Sequence, residues 1–367
     1  MSMNVEGTGN GSLVVFSDST YGHQRRSLPL KLNLKSLIAK QWLLLINGVV
    51  FVIGVISGPL LIRLYFLHGG NRKWIAAWVQ SSGFPILVIP ISVLYLSHRS
   101  DHKFFISPQF FLSSVVLGLL SGADNLMYAL GLSFLPVSTS SLLISTNLAF
   151  TAFFALLIAR HRFTPYSINA ILLMTLASVL LGIGQNNDRP VGVTDAHYFL
   201  GFIFTLGAAA LLGFMYPCTE VAFTKVANNI TYSSVLQFQL CSAFAATFFC
   251  TVGMIINKDF LAMTREAREF GLGESEYYLV LTSTAVAWQL SCIGFVGLIF
   301  CASSVFTGVF AATLVPLTTV AAVVVYHEKF SGEKGVSLAL CVWGFASYLY
   351  GSYRDSEKQS TEAQIGI

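Results

Sequence analysis

Charge is what this sequence has least of. Only 10% of its 367 residues are Asp, Glu, Lys or Arg, against 54% hydrophobic. A soluble domain carries about 25% charged residues, so a chain this long cannot build a water-facing surface. Gly-rich phosphate loops, HExxH and GxSxG are missing, and no His stands mid-span as a base or metal ligand. No enzymatic chemistry, metal or cofactor is therefore expected. The six cysteines, Cys218, Cys241, Cys250, Cys292, Cys301 and Cys341, lie in apolar stretches without a CxxC pair. That argues for packing thiols and against disulfides or zinc. A net charge of +4 is too small to suggest nucleic acid. The polar first 39 residues lack the short apolar core and cleavage site of a signal peptide.

What remains is long and apolar. Thirty Phe and thirty Gly suit closely packed membrane helices. A helix needs about 20 mainly apolar residues to cross the hydrocarbon core. Ten segments meet that need: 42–66, 74–97, 109–133, 136–159, 165–184, 198–224, 232–256, 277–301, 304–326 and 334–351. Two connections, at Phe134-Leu135-Pro136 and Ser303-Ser304, are so short that their helices must form antiparallel hairpins. Ten spans put both tails on one side. Counted that way, the tail side holds twelve Lys/Arg and the other nine, which places both tails in the cytosol. The sequons at Asn10 and Asn229 then face the cytosol and carry no glycan.

An internal repeat accompanies the count. Arg162-Phe163-Thr164-Pro165 and Lys329-Phe330-Ser331-Gly332 each follow a short-loop hairpin and precede an apolar helix. Each half holds five spans, so the second copy enters the membrane from the opposite side, as in inverted-repeat transporters with a midplane site. The expected organisation is an all-α membrane protein. It has a tail at 1–39, five-helix repeats at 40–187 and 188–352, and a tail at 353–367.

Ionisable groups inside the membrane are functional candidates by default. Asp124 in the third span and Glu220 in the sixth stand away from span ends, and no cation does; Arg63 and Lys225 are near enough to snorkel. A polyanionic substrate needs fixed cations and is disfavoured. The other polar positions are amides and aromatics: Trp78, Gln80, Asn125, Tyr128, Asn147, Gln239, Trp288 and Gln289. An amide offers both donor and acceptor, and aromatic faces stack on planar rings. Together they suit a neutral or weakly basic planar heterocycle. Singly, each amide serves equally as glue between helices, and each Trp could face lipid or core. The run Ser138-Thr139-Ser140-Ser141 reads as a helix start with close packing, and Gly54-x-x-x-Gly58 and Gly118-x-x-x-Gly122 as packing faces. Glu220, three residues after Pro217, reads as a proton carrier, or else as a capped carboxyl or a partner of Lys225.

Ten spans in two halves resemble the drug/metabolite transporter superfamily. More closely, residues 40–352 resemble the plant purine permeases. The likeness rests on Trp78-Val79-Gln80-Ser81-Ser82-Gly83-Phe84-Pro85 and Gly122-Ala123-Asp124-Asn125-Leu126-Met127-Tyr128-Ala129 in the first half. It continues through Tyr216-Pro217-Cys218-Thr219-Glu220, Ala287-Trp288-Gln289 and Glu328-Lys329-Phe330-Ser331-Gly332. The resemblance implies proton-coupled import of adenine-type purines and cytokinins (trans-zeatin, isopentenyladenine) across the plasma membrane. The partners then expected are the base, protons and membrane lipid, with the chain a monomer. Glu220 and Asp124 would couple protons. A facilitative exporter of another nitrogenous metabolite and a non-transporting receptor stay open.

Overall fold

The computed structural model describes residues 34–97, 107–159, 164–184, 194–226, 230–327 and 332–365. Asn10, Asn229, Arg162-Phe163, Lys329-Phe330-Ser331 and the 187/188 boundary lie outside these residues. Among the described residues every regular element is helical. They are α1 (Leu34–Leu67), α2 (Lys73–Ser82), α3 (Val88–Ser97), α4 (Pro108–Phe134), α5 (Val137–Ser145), α6 (Asn147–Phe154) and α7 (Pro165–Gly184). There follow α8 (Asp195–Val221), α9 (Tyr232–Ile256), α10 (Asp259–Glu269), α11 (Glu274–Cys301), α12 (Ser304–Tyr326) and α13 (Gly332–Ile365). Seven helical stretches are long and apolar enough to cross a membrane, and three shorter apolar helices span Asn147–Ile158, Pro165–Ala177 and Gly335–Gly351.

Two expected spans are broken. The second divides at Gly83, where Pro85 sits inside a 3-10 turn, Phe84–Leu87, joining α2 to α3. Proline cannot donate the backbone bond a continuing α-helix requires. The fourth divides at Thr146, whose hydroxyl turns back to the Leu143 carbonyl at 2.6 Å. Asn147 thereby becomes the first residue of α6. Helix α13 runs on to Ile365, through most of the segment expected as a polar tail.

The ends follow capping chemistry. Side chains of Ser107, Thr194, Thr231 and Ser303 accept from the N–H of the residue three further on, at the starts of α4, α8, α9 and α12. A hydroxyl there satisfies one of a helix's four orphan donors. Pro136 occupies the position before α5 and offers no such bond. Thr139, Ser140 and Ser141 are buried, so packing dominates at that start.

Helix α1 lies along α11; α4 lies along α8 and α9; α7 pairs with α13. The glycines make these approaches possible. A Cβ at Gly54 would run into Ser291 N and come 2.5 Å from the Ala287 carbonyl of α11. One at Gly118 would meet the Ser242 carbonyl of α9 and sit 2.8 Å from Ala245 Cβ. Both are packing faces, as close helix contact in lipid demands.

At the face where α1 ends, α10 is tied down by polar contacts. Glu266 accepts from the hydroxyls of Tyr65 and Tyr277, each at 2.9 Å, and from Asn71 N at 2.7 Å. Arg72 pairs with Asp259 at 3.3 Å, and Gly271 N donates to His68 O at 2.8 Å. The starts of α10 and α11 are thus fixed beside the end of α1.

Candidate functional site

A cavity of about 170 Å³ opens in the middle of the bundle, far larger than the roughly 30 Å³ share of one water. Helices α1, α2, α4, α5, α6, α8, α9, α11 and α12 line it. Besides the cluster that contributes Phe51, Val55, Ala311 and Ala312, two apolar clusters bound it. One, around Ile62, Tyr65, Ala129, Leu132 and Tyr277, reaches the cavity through Tyr128 and Trp288. The other, around Phe110, Phe223, Val235 and Ile299, reaches it through Leu117, Met215, Phe238 and Val296.

Helical periodicity builds the walls. On α4, Ser121, Asp124, Asn125 and Tyr128 recur at three- and four-residue steps and share one face. On α9 the same step links Gln239 to Ser242, and on α11 it links Trp288 to Ser291 and Cys292. Gln80 enters from the last turn of α2, and Asn147 from the break between α5 and α6. Pro59 also lines the cavity; it leaves the Val55 carbonyl without its helical donor, and Val55 is a lining residue too.

The polar groups differ in what they can offer. Both Gln80 N–H groups are committed, to Ala76 O and Asn125 O at 3.0 Å each. Its carbonyl oxygen is what remains for a ligand. Asn147 Oδ1 and Asp124 Oδ1 are buried without a hydrogen-bond partner, as is Trp288 Nε1. Ser141 Oγ is a fourth such atom in the lining. Buried polar atoms in this state are uncommon and costly, and four around one cavity point to a ligand that would satisfy them. Tyr128 meets Trp288 edge to face at 5.6 Å, and Tyr216 meets Phe295 at 4.6 Å. Among the described residues no Lys, Arg or His lines the cavity.

Seven of the expected site residues meet here: Gln80, Asp124, Asn125, Tyr128, Asn147, Gln239 and Trp288. Three stand elsewhere. Trp78 donates its indole N–H to Thr251 Oγ1 at 3.0 Å, bridging α2 and α9. Gln289 is fully buried beside the site, with its amide oxygen and nitrogen both unpartnered. Glu220 accepts from the backbone N–H of Ser304 at 2.9 Å, at the start of α12. Tyr216, noted in the sequence beside Pro217, also lines the cavity, as do Ser121, Ser242, Ser291, Cys292 and Thr318, which the sequence reading did not pick out as site residues. Their signal was the spacing: Ser121 lies three residues before Asp124, Ser242 three after Gln239, and Cys292 four after Trp288.

A bundle of membrane-length apolar helices around a central cavity lined by a carboxylate, amides and aromatics has the outline of a small-molecule carrier. Comparison with known proteins makes it specific. The family described as purine nucleobase transmembrane transport matches residues 42–358. Purine permease 3 of Arabidopsis thaliana is 42% identical over 322 residues, covering 86% of this chain and 92% of that one. Purine permease 2 of the same plant is 42% identical over 343 residues, covering 89% and 95%. The chain belongs to the purine permease family, whose members are multi-pass membrane transporters rather than enzymes. The fold is also that of a protein of known crystal structure, with a TM-score of 0.56 and 16% identity. That match covers 83% of this chain and 97% of the other.

Proposed function

We propose that this protein carries purine nucleobases across a membrane, binding them in the central cavity. The observation that supports this most directly is the set of buried, unpartnered polar atoms around a space bare of cations. A purine presents a flat ring, N–H donors and ring-nitrogen acceptors. The ring lies against Trp288 and Tyr128. Its donors go to Asp124 and to the carbonyl oxygens of Gln80 and Asn147, and its acceptors take N–H from Asn125, Gln239 or Trp288 Nε1. Cytokinins add an apolar tail to adenine, which Phe51, Val55 and Phe295 can receive.

Proton coupling is assigned first to Asp124, the one carboxylate among the described residues that line the cavity. Alternating access between two five-helix halves is the mechanism proposed, with the two apolar clusters as gates. Packing supports the halves. Counting α2 with α3 and α5 with α6 as single crossings, and setting α10 aside, leaves ten. Exchanging each crossing for the one five later turns α1 on α11 into α8 on α4, and α2 on α11 into α9 on α4. Each of these pairs is in contact. Both tails are placed in the cytosol, the membrane is the plasma membrane, and the working unit is the monomer.

Uptake of radiolabelled adenine into yeast expressing the chain, at pH 5 and pH 7.5 with and without a protonophore, tests the reading. Faster uptake at pH 5, abolished by the protonophore and competed by trans-zeatin, is the expected result. Flux indifferent to pH and protonophore would favour a facilitative carrier. Absence of uptake with the protein at the surface would sink adenine as substrate.

A further inference from the structure

Two charged residues of proline-containing helices stand outside the cavity lining, and each reaches a two-residue hairpin. Arg63 of α1 donates through Nη1 to Leu132 O at 3.3 Å and Leu135 O at 3.5 Å, at the end of α4 where Leu135-Pro136 leads to α5. Glu220 of α8 accepts through Oε2 from Ser304 N at 2.9 Å, where Ala302-Ser303 leads from α11 to α12. The hairpins match in detail: Leu135 N returns to Gly131 O at 2.9 Å and Ala302 N to Leu298 O at 2.8 Å. The charge carriers match too. Arg63 follows Pro59 by four residues, and Glu220 follows Pro217 by three, each proline lying within its helix. The signs fit the helix ends they meet. A cation suits the carbonyls at the C-terminus of α4, and an anion suits the N–H groups at the N-terminus of α12.

The two hairpins lie at opposite faces. Helix α11 starts beside the end of α1 and runs 28 residues before its own hairpin, about 40 Å at 1.5 Å per residue. Neither contact is cavity chemistry; each ties a proline-containing helix to the hairpin of its own half.

We propose that Arg63 and Glu220 are the paired latches of the two gates, one per half and one per membrane face. Arg63 holds the gate at the α4–α5 face, and Glu220 the gate at the α11–α12 face. Both are positioning residues, since neither touches the cavity. The proposal rests on the alternating-access reading above and gives Glu220 a role distinct from carrying the proton.

Cys292 lines the cavity and supplies a reporter once the other five cysteines are replaced by Ala. A membrane-impermeant thiosulfonate is applied to one face of sealed vesicles, then to the other, without substrate. Loss of one charged hydrogen bond should shift a gate's equilibrium about tenfold. Arg63→Gln should speed labelling from the α4–α5 face and slow it from the other; Glu220→Gln should do the reverse. Arg63→Lys and Glu220→Asp should return the rates toward the parent's. If either neutral variant fails to reach the membrane, its conservative counterpart is read instead, and its smaller shift must carry the same sign. Shifts of equal sign, or no shift with normal membrane levels, would overturn the latches. Adenine uptake in the same vesicles separates the two readings. Normal uptake without shifts removes the latches alone, and opposed shifts without uptake remove the purine reading alone.

Discussion

Replacing Asp124 by Asn keeps the shape of the side chain and removes the one carboxylate among the described residues that line the cavity. If that carboxylate carries the coupled proton, the variant loses the energy of the gradient rather than the binding site. One proton moving down two pH units and 100 mV supplies about 5 kcal/mol, a limiting accumulation of several thousandfold. Asp124→Asn should bring steady-state accumulation of labelled adenine close to the equilibrium ratio. Exchange in preloaded cells should persist, because Asn125, Tyr128, Asn147 and Trp288 still line the cavity. Ser121→Ala, one turn away on the same helix face, controls for local disturbance and should still accumulate. The assay is yeast uptake followed to steady state with and without protonophore, paired with exchange at zero gradient. Concentrative, protonophore-sensitive uptake by Asp124→Asn would refute the assignment.

Three further outcomes follow from separate parts of the molecule. Trp288→Ala removes a stacking face and should raise the half-saturation concentration for adenine about tenfold to a hundredfold, whereas Trp288→Phe keeps an aromatic face and should change it far less. Gly54→Val drives a branched side chain into the backbone of α11; overpacking of this kind costs about 1–3 kcal/mol, visible as a lower melting temperature of the detergent-purified protein. Burial pushes the Asp259 carboxyl above its ordinary value, a shift that Asn257 and Arg72 only partly offset. A folded carboxyl that holds its proton more tightly than the unfolded chain loses stability as pH rises from that ordinary value through the raised one. Asp259→Asn should flatten the fall in melting temperature across that window.

The amides and aromatics that gather at the cavity were legible because lipid makes polar residues rare, so each one stood out against an apolar background. Serine, threonine and cysteine did not stand out, since their hydroxyls and thiols can serve the helix's own backbone, as Thr146 does with Leu143. Position around the helix decides between the two uses, and that requires knowing which face is inward. Trp78 and Gln80 show the limit. They are two residues apart, yet helical geometry turns Gln80 into the cavity and Trp78 toward Thr251. The Gly-x-x-x-Gly faces were legible as packing, while the choice of partner helix was not, because the pattern carries no address. The breaks at Gly83 and Thr146 differ in the same way. Pro85 supplies a local cause for the first, although 74–97 was read as one span, and nothing local announced the second, where the chain makes Asn147 the start of a new helix.

Charge is the last step of this argument. Sequence sets Arg63 near a span end, where it can snorkel, and leaves Asp124 and Glu220 alike as carboxylates away from span ends. The structure separates them by what each faces. Arg63 and Glu220 meet helix ends whose dipoles complement them, so their cost is offset within the protein. Asp124 faces the cavity with one oxygen lacking any partner. Closing a cavity over an ionised, unpaired carboxylate costs several kcal/mol. A proton, or a base that donates N–H groups, offsets that cost from outside the protein. The state of Asp124 can therefore follow what enters the cavity, while the other two charges follow the positions of the hairpins. A carrier needs both kinds of response, and this chain keeps them on different residues.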